Sequence, residues 1–527
     1  MGRNTREQKR NRQSNTGGVY PDALETAIAL KRLFYQFERN ALKEVDTEPL
    51  IMVTLFLWLT QRLNHLERLD GEEQVQLSIP NFKRISGTED CEENAFRNTR
   101  HGQYSWAEYA LAYDTDQGIQ YLWQPIPTAL NHLFQPFIAA QKIGHQWLDA
   151  EQKQRLSVVL TRKWTTPSHL TALHFSTKQT FFNYFSQCSR VDTELSSITK
   201  SILLPSNLLH HHRNAKDYQR QDSDHIRYQI FHAQHRHLER VLTIYRQQHW
   251  NESISQTNQK QLKLIDKNSS PKIPELFTRE NKISQRTLSI KNRTQTYNND
   301  APIVLGSQRQ VSQSDIVRLF RMIEGEINQS RPQPGSALSV YIKFYNLCTY
   351  HIALLFILLT STRPTHAISI ERQRCFSQLA TIYDKGQWRE ILLCEFLEKQ
   401  IKHYLKFQHN LAQRLPNIAS EPSPYLWFLI DEKQCATPLN HRSLQQFLTP
   451  FSPNIEPYVL RHAFAQAALT SSPFNKLTTQ QIDRLMGHSE QGEHFGQDHW
   501  LPETYDTLMR FLNSLPPHFG LKEVEYV

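Results

Sequence analysis

The chain has 527 residues, which at roughly 100–200 residues per domain makes about two to four domains and excludes a mini-protein held together by staples. Lysine and arginine outnumber aspartate and glutamate 60 to 51, giving a formal charge of +9 and a pI near 9.1, so a polyanion is the first partner to test. With 16 glycines and 11% aromatic residues, collagen-like, linker-like and Gly-rich β-repeat chains are excluded, and a helix-dominated globular protein is favoured.

Residues 1–22 read as a basic disordered arm, because within residues 3–12 Arg3, Arg6, Lys9, Arg10 and Arg12 face a single acid, Glu7, without apolar periodicity. The same segment lacks the apolar stretch of a secretory signal. Residues 23–155 form an expected N-terminal helical region of unassigned role, marked by stretches such as LIMVTLFLWLTQRLNHLERL. The longest apolar runs, Leu50–Leu59 and Ile352–Thr360, are about half the roughly 20 residues that cross a bilayer, so the expectation is a cytoplasmic chain with no membrane partner. The six cysteines, Cys91, Cys188, Cys348, Cys375, Cys394 and Cys435, form no CxxC pair and read as reduced and structural.

Residues 156–250 continue with helical patterns. In HIRYQIFHAQHRHLERVLTIYRQQHW, Ile226, Ile230 or Phe231, Leu238, Leu242 and Tyr245 keep near-helical spacing, with Arg227, Arg236, Arg240 and Arg246 on the polar side. Such a basic face either tracks phosphates or is simply solvated. The histidines at 210–212, with His225, His232, His235 and His237, have no Cys, Asp or Glu at ligand spacing, so no metal is expected. Residues 251–310 are polar and carry ten Lys or Arg against five acids, the composition of a basic linker.

Periodic structure resumes at residue 311. SQSDIVRLFRMIEGEI reads as a capped amphipathic helix, and ALSVYIKFYNLCTYHIALLFILLTST, apolar nearly all round, as a central buried helix. Residues 377–395 read as a hairpin turning at Lys385-Gly386, and helices are expected at about 396–414, 460–470 and 479–486. The last of these carries a capping box, Thr478 with Gln481, and Gly487 as C-cap. Arg363 thus ends the buried helix, Lys385 sits at a hairpin tip, Arg461 opens a helix beside its apolar stripe, His488 follows a capped helix end, and Tyr505 lies beyond in PETYDTLMRFL. Each alone has an ordinary structural role, but two arginines and a lysine on rigid elements are what displacement at a phosphodiester needs: bidentate donors for the non-bridging oxygens and a proton for the leaving group.

In these boxes the sequence resembles the tyrosine recombinases (phage-integrase superfamily). HIALLFILLTSTRPTHAISI is similar to the first arginine box, IYDKGQWREILL to the hairpin lysine, PYVLRHAFAQAAL to the second arginine box and DRLMGHSE to the Gly-His box. The likeness covers about residues 310–515. Three positions depart from the pattern: Tyr458 stands where the family has histidine, His366 stands where it has an acid, and GEHFGQDHWLP lengthens the path to the tyrosine.

The resemblance implies a mainly α fold with a small antiparallel sheet or hairpin in a catalytic domain (311–527), and a multi-domain clamp on DNA whose helical core-binding domain is 156–250. It implies site-specific DNA recombination, as in integration of a mobile genetic element. Tyr505 would attack the scissile phosphate, giving a 3′-phosphotyrosyl intermediate, without cofactor or metal. Arg363 and Arg461 would neutralise transition-state charge, Lys385 would protonate the leaving oxygen and His488 would bond a non-bridging oxygen. Tyr458 would donate a hydrogen bond in place of the histidine, leaving water, His462 or His488 to take the proton of Tyr505. Tyr526 is expected to lie at a floppy end. The implied partners are double-stranded DNA, further copies of the chain in a tetramer on two DNA sites, with the tail after Tyr505 docked on a neighbour, and an accessory directionality factor; the implied place is the nucleoid. A catalytically impaired DNA-binding relative and a type IB topoisomerase-like strand transferase are the alternatives.

Overall fold

The computed structural model describes residues 21–40, 47–69, 76–86, 91–101, 104–115, 118–165, 177–204, 218–247, 285–290, 293–298, 304–307, 309, 311–364, 368, 370–384, 387–420, 423–453, 455–470, 477–487 and 502–526. Helix predominates, and the strands form small, mainly antiparallel sheets. Residues 1–20, most of the expected linker, the histidines at 210–212, His366, Lys385 and His488 lie outside the described residues. The chain divides into two units, one holding 1–195, 199–209 and 221–305, the other 196–198, 210–220 and 306–527.

In the first unit, α1 (Ala23–Asn40) and α2 (Glu48–Leu59) open the chain. Helix α2 is apolar on every side because every side is covered; Trp58 stacks on Phe181 at 4.3 Å and gives its indole N–H to the Phe181 carbonyl at 2.7 Å. The reading of 23–155 as helical is corrected at its centre. Strands β1 (Lys83–Arg84), β2 (Ala95–His101), β3 (Tyr104–Thr115) and β4 (Gly118–Pro125) form a four-stranded sheet in that order, antiparallel after the first pair. Its strands hide their period-2 pattern by burying charge. Arg97 and Glu108 pair across β2 and β3 at 2.7 Å, and Trp123 covers the guanidinium at 4.4 Å.

Helices α3 (Thr128–Ala140), α4 (Ala150–Thr161), α5 (Lys178–Val191) and α6 (Ser223–Gln247) complete this unit. Three of the four arginines on the expected basic face of α6 pair within the unit: Arg236 with Asp192 and Glu194, Arg227 with Asp224, and Arg246 with Glu239. Burial alone would raise the Asp192 carboxyl, but His237, the Glu194 N–H and Arg236 outweigh it and bring it down to about 2. Strands β5 (Gln285–Ile290) and β6 (Arg293–Asn298) pair antiparallel within the segment read as linker.

The second unit is built round α8 (Leu338–Thr360), preceded by α7 (Gln313–Gln329), whose first turn is capped by Ser312 accepting from the Asp315 N–H. By length and composition α8 could span a membrane, yet 72% of its 18-residue apolar stretch is buried; each of its enclosed Leu, Ile and Phe side chains contributes about 1.5–3 kcal/mol by leaving water. Past α8 come a three-stranded sheet of β7 (Cys375–Phe376), β8 (Leu379–Asp384) and β9 (Gln387–Leu392), then α9 (Glu395–Ala412), the pair β10 (Phe428–Ile430) and β11 (Ala436–Pro438), and α10 (His441–Leu448). Helices α11 (Pro457–Leu469), α12 (Thr479–Met486) and α13 (Pro502–His518) close the unit. Helix α12 has the reciprocal Thr478–Gln481 cap and ends on Gly487 at φ +64°.

The segment after α13 packs on its own unit. Phe519, Val524 and Tyr526 are buried, Tyr526 is bonded to His351 Nδ1 of α8 at 2.9 Å, and the Val524 N–H donates to Gln400 at 3.2 Å. Tyr526 is therefore a core residue, which corrects its reading as floppy.

Candidate functional site

The backbone leaves α8 through Ser361 in the left-handed region (φ +58°), which reverses the chain and turns Arg363 into the interior. Its Nη1 donates to both carboxylate oxygens of Asp384 at 2.6 Å. Asp384 ends β8 opposite Gln387, so Arg389, two residues further along β9, is its diagonal neighbour on the same face. Arg389 Nε donates to Asp384 at 3.2 Å and its Nη1 to the Leu485 carbonyl at 3.4 Å. Arg461, on α11, is fully buried; it donates to the Ser361 carbonyl and, at 2.5 Å, to the Met486 carbonyl. One arginine thus clamps the exit of α8 to the end of α12. Gly487 is required where α12 ends: its φ is left-handed, and a Cβ there would stand 2.8 Å from the Arg389 guanidinium.

Two guanidiniums, Arg363 and Arg389, therefore share the Asp384 carboxylate, and the charge of a third, Arg461, is felt there. Burial, and then the charge of Arg363, push Arg461 down to about 10. Burial likewise takes Arg389 to about 10, with Asp384 resisting and Arg363 adding to the fall. Arg363 itself moves up, because Asp384 outweighs the cost of burying it, and Asp384 moves down against its own burial under the pull of Arg389 and Arg363. The Arg389 Nη2 is buried without a hydrogen-bond partner among the described residues. Such a site is short of negative charge, and an anion supplies what it lacks.

Tyr458 lies one helical turn before Arg461 on α11, with its hydroxyl 2.6 Å from that of Tyr218. His462 bonds Ser307 Oγ through Nδ1 at 3.1 Å; burial and the charges of Arg309 and Arg461 push it down to about 4, so it is neutral at pH 7 and a poor proton acceptor. Tyr505, in the first turn of α13, donates to Gln378 Oε1 at 2.7 Å. Burial, together with Asp506, Glu398 and Glu395, raises its pKa. Gln378 precedes β8 at the end remote from Asp384, roughly 20 Å away at about 3.3 Å per strand residue. The structure brings Arg363, Arg461 and Tyr458 together and leaves Tyr505 at the other end of the hairpin. Lys385 and His488 lie outside the described residues.

Sequence reasoning missed Asp384, Arg389 and Tyr218. Asp384 directly precedes Lys385, and strand alternation puts Arg389 on its face, so both were open to a register argument; nothing in the sequence points to Tyr218. No protein-family model, curated protein or solved structure matches the chain.

Proposed function

We propose that the chain is a site-specific DNA recombinase that cuts and rejoins strands through a 3′-phosphotyrosyl intermediate, working on double-stranded DNA of the nucleoid as a tetramer. The observation that carries this reading is the buried group of three arginines around Asp384, two of them bonded to it, combined with the order of the sequence boxes. Arg363 and Arg461 would seat the non-bridging oxygens of a phosphodiester, and Asp384 and Arg389 would hold Arg363 in place, so that the donors are organised before charge develops. Tyr505 would form the bond to phosphorus as the bond to the 5′-oxygen breaks, its own proton passing to water or His488, and Lys385 would give the leaving oxygen a proton. A second 5′-hydroxyl reverses the step, so no external energy source is needed.

In the present arrangement Tyr505 is engaged by Gln378, so cleavage requires that bond to open. The same observation favours a second reading, a DNA-binding relative that does not cleave. Trapping on nicked duplexes of random sequence, followed by a denaturing gel, separates the two. We expect a covalent protein–DNA adduct that Tyr505→Phe abolishes while DNA binding persists. Binding with no adduct from the unaltered chain would establish the second reading.

A further inference from the structure

The pairing of β8 with β9 runs from Leu379–Leu392 to Asp384–Gln387, and Lys385 is the next residue in the chain after Asp384. Strand β7 pairs with Leu379 and Ala380, so beyond Ala380, among the described residues, the two long strands run on as a ribbon. A two-stranded ribbon is marginal by itself in water, and what holds this one decides where its tip lies. Ile382 enters the core, while Tyr383 and Trp388, opposite each other on the other face, are exposed.

Past Ile382 the hold is polar, and two arginines provide it, one for each strand. On β8, Asp384 is fixed by the two 2.6 Å bonds from Arg363, which tie that strand to the exit of α8. On β9, Arg389 spreads its donors over two elements: Nε meets Asp384 at 3.2 Å, and Nη1 meets the Leu485 carbonyl in the last turn of α12 at 3.4 Å. Gly487 lets the guanidinium lie against that helix end, where a Cβ would crowd it. The next carbonyl, that of Met486, accepts from Arg461 at 2.5 Å. Arg389 and Arg461 thus grip the same turn of α12, and through it the ribbon is tied to the arginines that would hold the anion.

We infer that Arg389 is a positioning residue for the leaving-group proton: by pinning β9 to the end of α12 it holds the ribbon so that Lys385 is presented to the 5′-oxygen of a phosphodiester seated on Arg363 and Arg461. The inference rests on the strand-transfer reading above and goes past the support that Arg389 lends Arg363. It places a second effect of Arg389 at the leaving group, where Arg363 does not act. Arg389→Lys keeps the charge beside Asp384, but an ammonium is a point donor and does not serve Asp384 and the Leu485 carbonyl together.

The test compares the full-length chain, Arg389→Lys, Lys385→Ala and the double variant on two nicked duplexes that differ in one atom, the bridging 5′-atom of the scissile phosphate being oxygen or sulfur. With oxygen, the bond to phosphorus breaks with its electron pair on the leaving oxygen, which takes the proton of Lys385. With sulfur, the pair leaves on a thiolate that needs no proton, since a thiol ionises near pH 8.5. On the oxygen duplex Arg389→Lys should form adduct about ten- to a hundredfold more slowly, the cost of a reacting group out of place, and Lys385→Ala more slowly still. Arg389→Lys should add nothing to Lys385→Ala, and on the sulfur duplex all four proteins should react at about the same rate. Equal slowing on both duplexes, or a loss that adds to that of Lys385→Ala, would show that Arg389 acts through Arg363 or the fold alone and overturn the inference. So would an unchanged Arg389→Lys rate with oxygen, or a Lys385→Ala variant that sulfur does not rescue. If Arg389→Lys fails to melt cooperatively, Arg389→Gln, which removes one of the crowded cations, carries the same comparison; loss of fold in both marks a structural residue and overturns the inference. An unaltered chain that forms no adduct on either duplex would instead bring down the strand-transfer reading, and this inference with it.

Discussion

At Asp384 a single carboxylate accepts from Arg363 at 2.6 Å and Arg389 at 3.2 Å, and the charge of the whole site turns on it. Asp384→Asn keeps the shape and removes the one negative charge, leaving three buried cations to repel one another. The expected cost is about 3–5 kcal/mol, the scale for breaking a buried ion pair, and sulfate should restore stability more steeply in the variant than in the parent. Thermal melts across a sulfate series check both; a small loss with no added sulfate dependence would refute the charge argument. Arg363 was legible because it stands where an apolar run meets a helix end, and Arg461 because it lies beside an apolar stripe, though one turn inside α11 and not at its opening as expected. Arg389 was open to a register argument through the hairpin that pairs Asp384 with Gln387, whereas Tyr218 was not legible, since no local pattern marks a residue whose partner is 240 positions away.

Among elements, α8 shows how a helix is read and what is read too simply. Its apolar sequence announces burial, but His351 in its middle is fully enclosed against Tyr526, and burial pushes it down to about 3. An unfolded histidine titrates near 6.5. The folded value being lower, this contribution is intact above pH 6.5 and is lost as pH falls toward 3, at up to about 1.4 kcal/mol per pH unit. Replacement by Gln should flatten denaturant midpoints between pH 6 and 4; an unchanged slope would mean that His351 is hydrated or protonated when folded. The capped helices α7 and α12 were legible for the opposite reason, their signals being local. The sheet β1–β4 was not, because Arg97 and Glu108 occupy inward positions and disguise the alternation that marks a strand.

For the whole molecule, the second unit is discontinuous: residues 210–220 belong with 306–527. A fragment of residues 306–527 should therefore melt below the corresponding transition of the full chain. A synthetic peptide of residues 210–220 should raise its melting temperature with concentration, by mass action on the folded form. A fragment that melts as the full chain does, indifferent to the peptide, would show that residues 210–220 add nothing to its stability. Sequence composition divides the chain at the polar stretch, because composition is a running property, whereas the division in space depends on contacts that no window along the chain contains.

The bond between Tyr218 and Tyr458 also sets a clock. Tyr218 is made 240 residues before Tyr458, and at the usual pace of about 5–20 residues per second it waits roughly 10–50 s on the ribosome for its partner to exist. During that interval the aromatic side chain destined for the arginine pocket is exposed to chaperones, proteases and neighbouring chains, and any one of them that holds it withholds Tyr218 from a unit that is otherwise able to close. Slower synthesis across residues 221–457 lengthens the exposure, so the yield of protein with Tyr218 correctly seated depends on translation rate as well as on equilibrium stability.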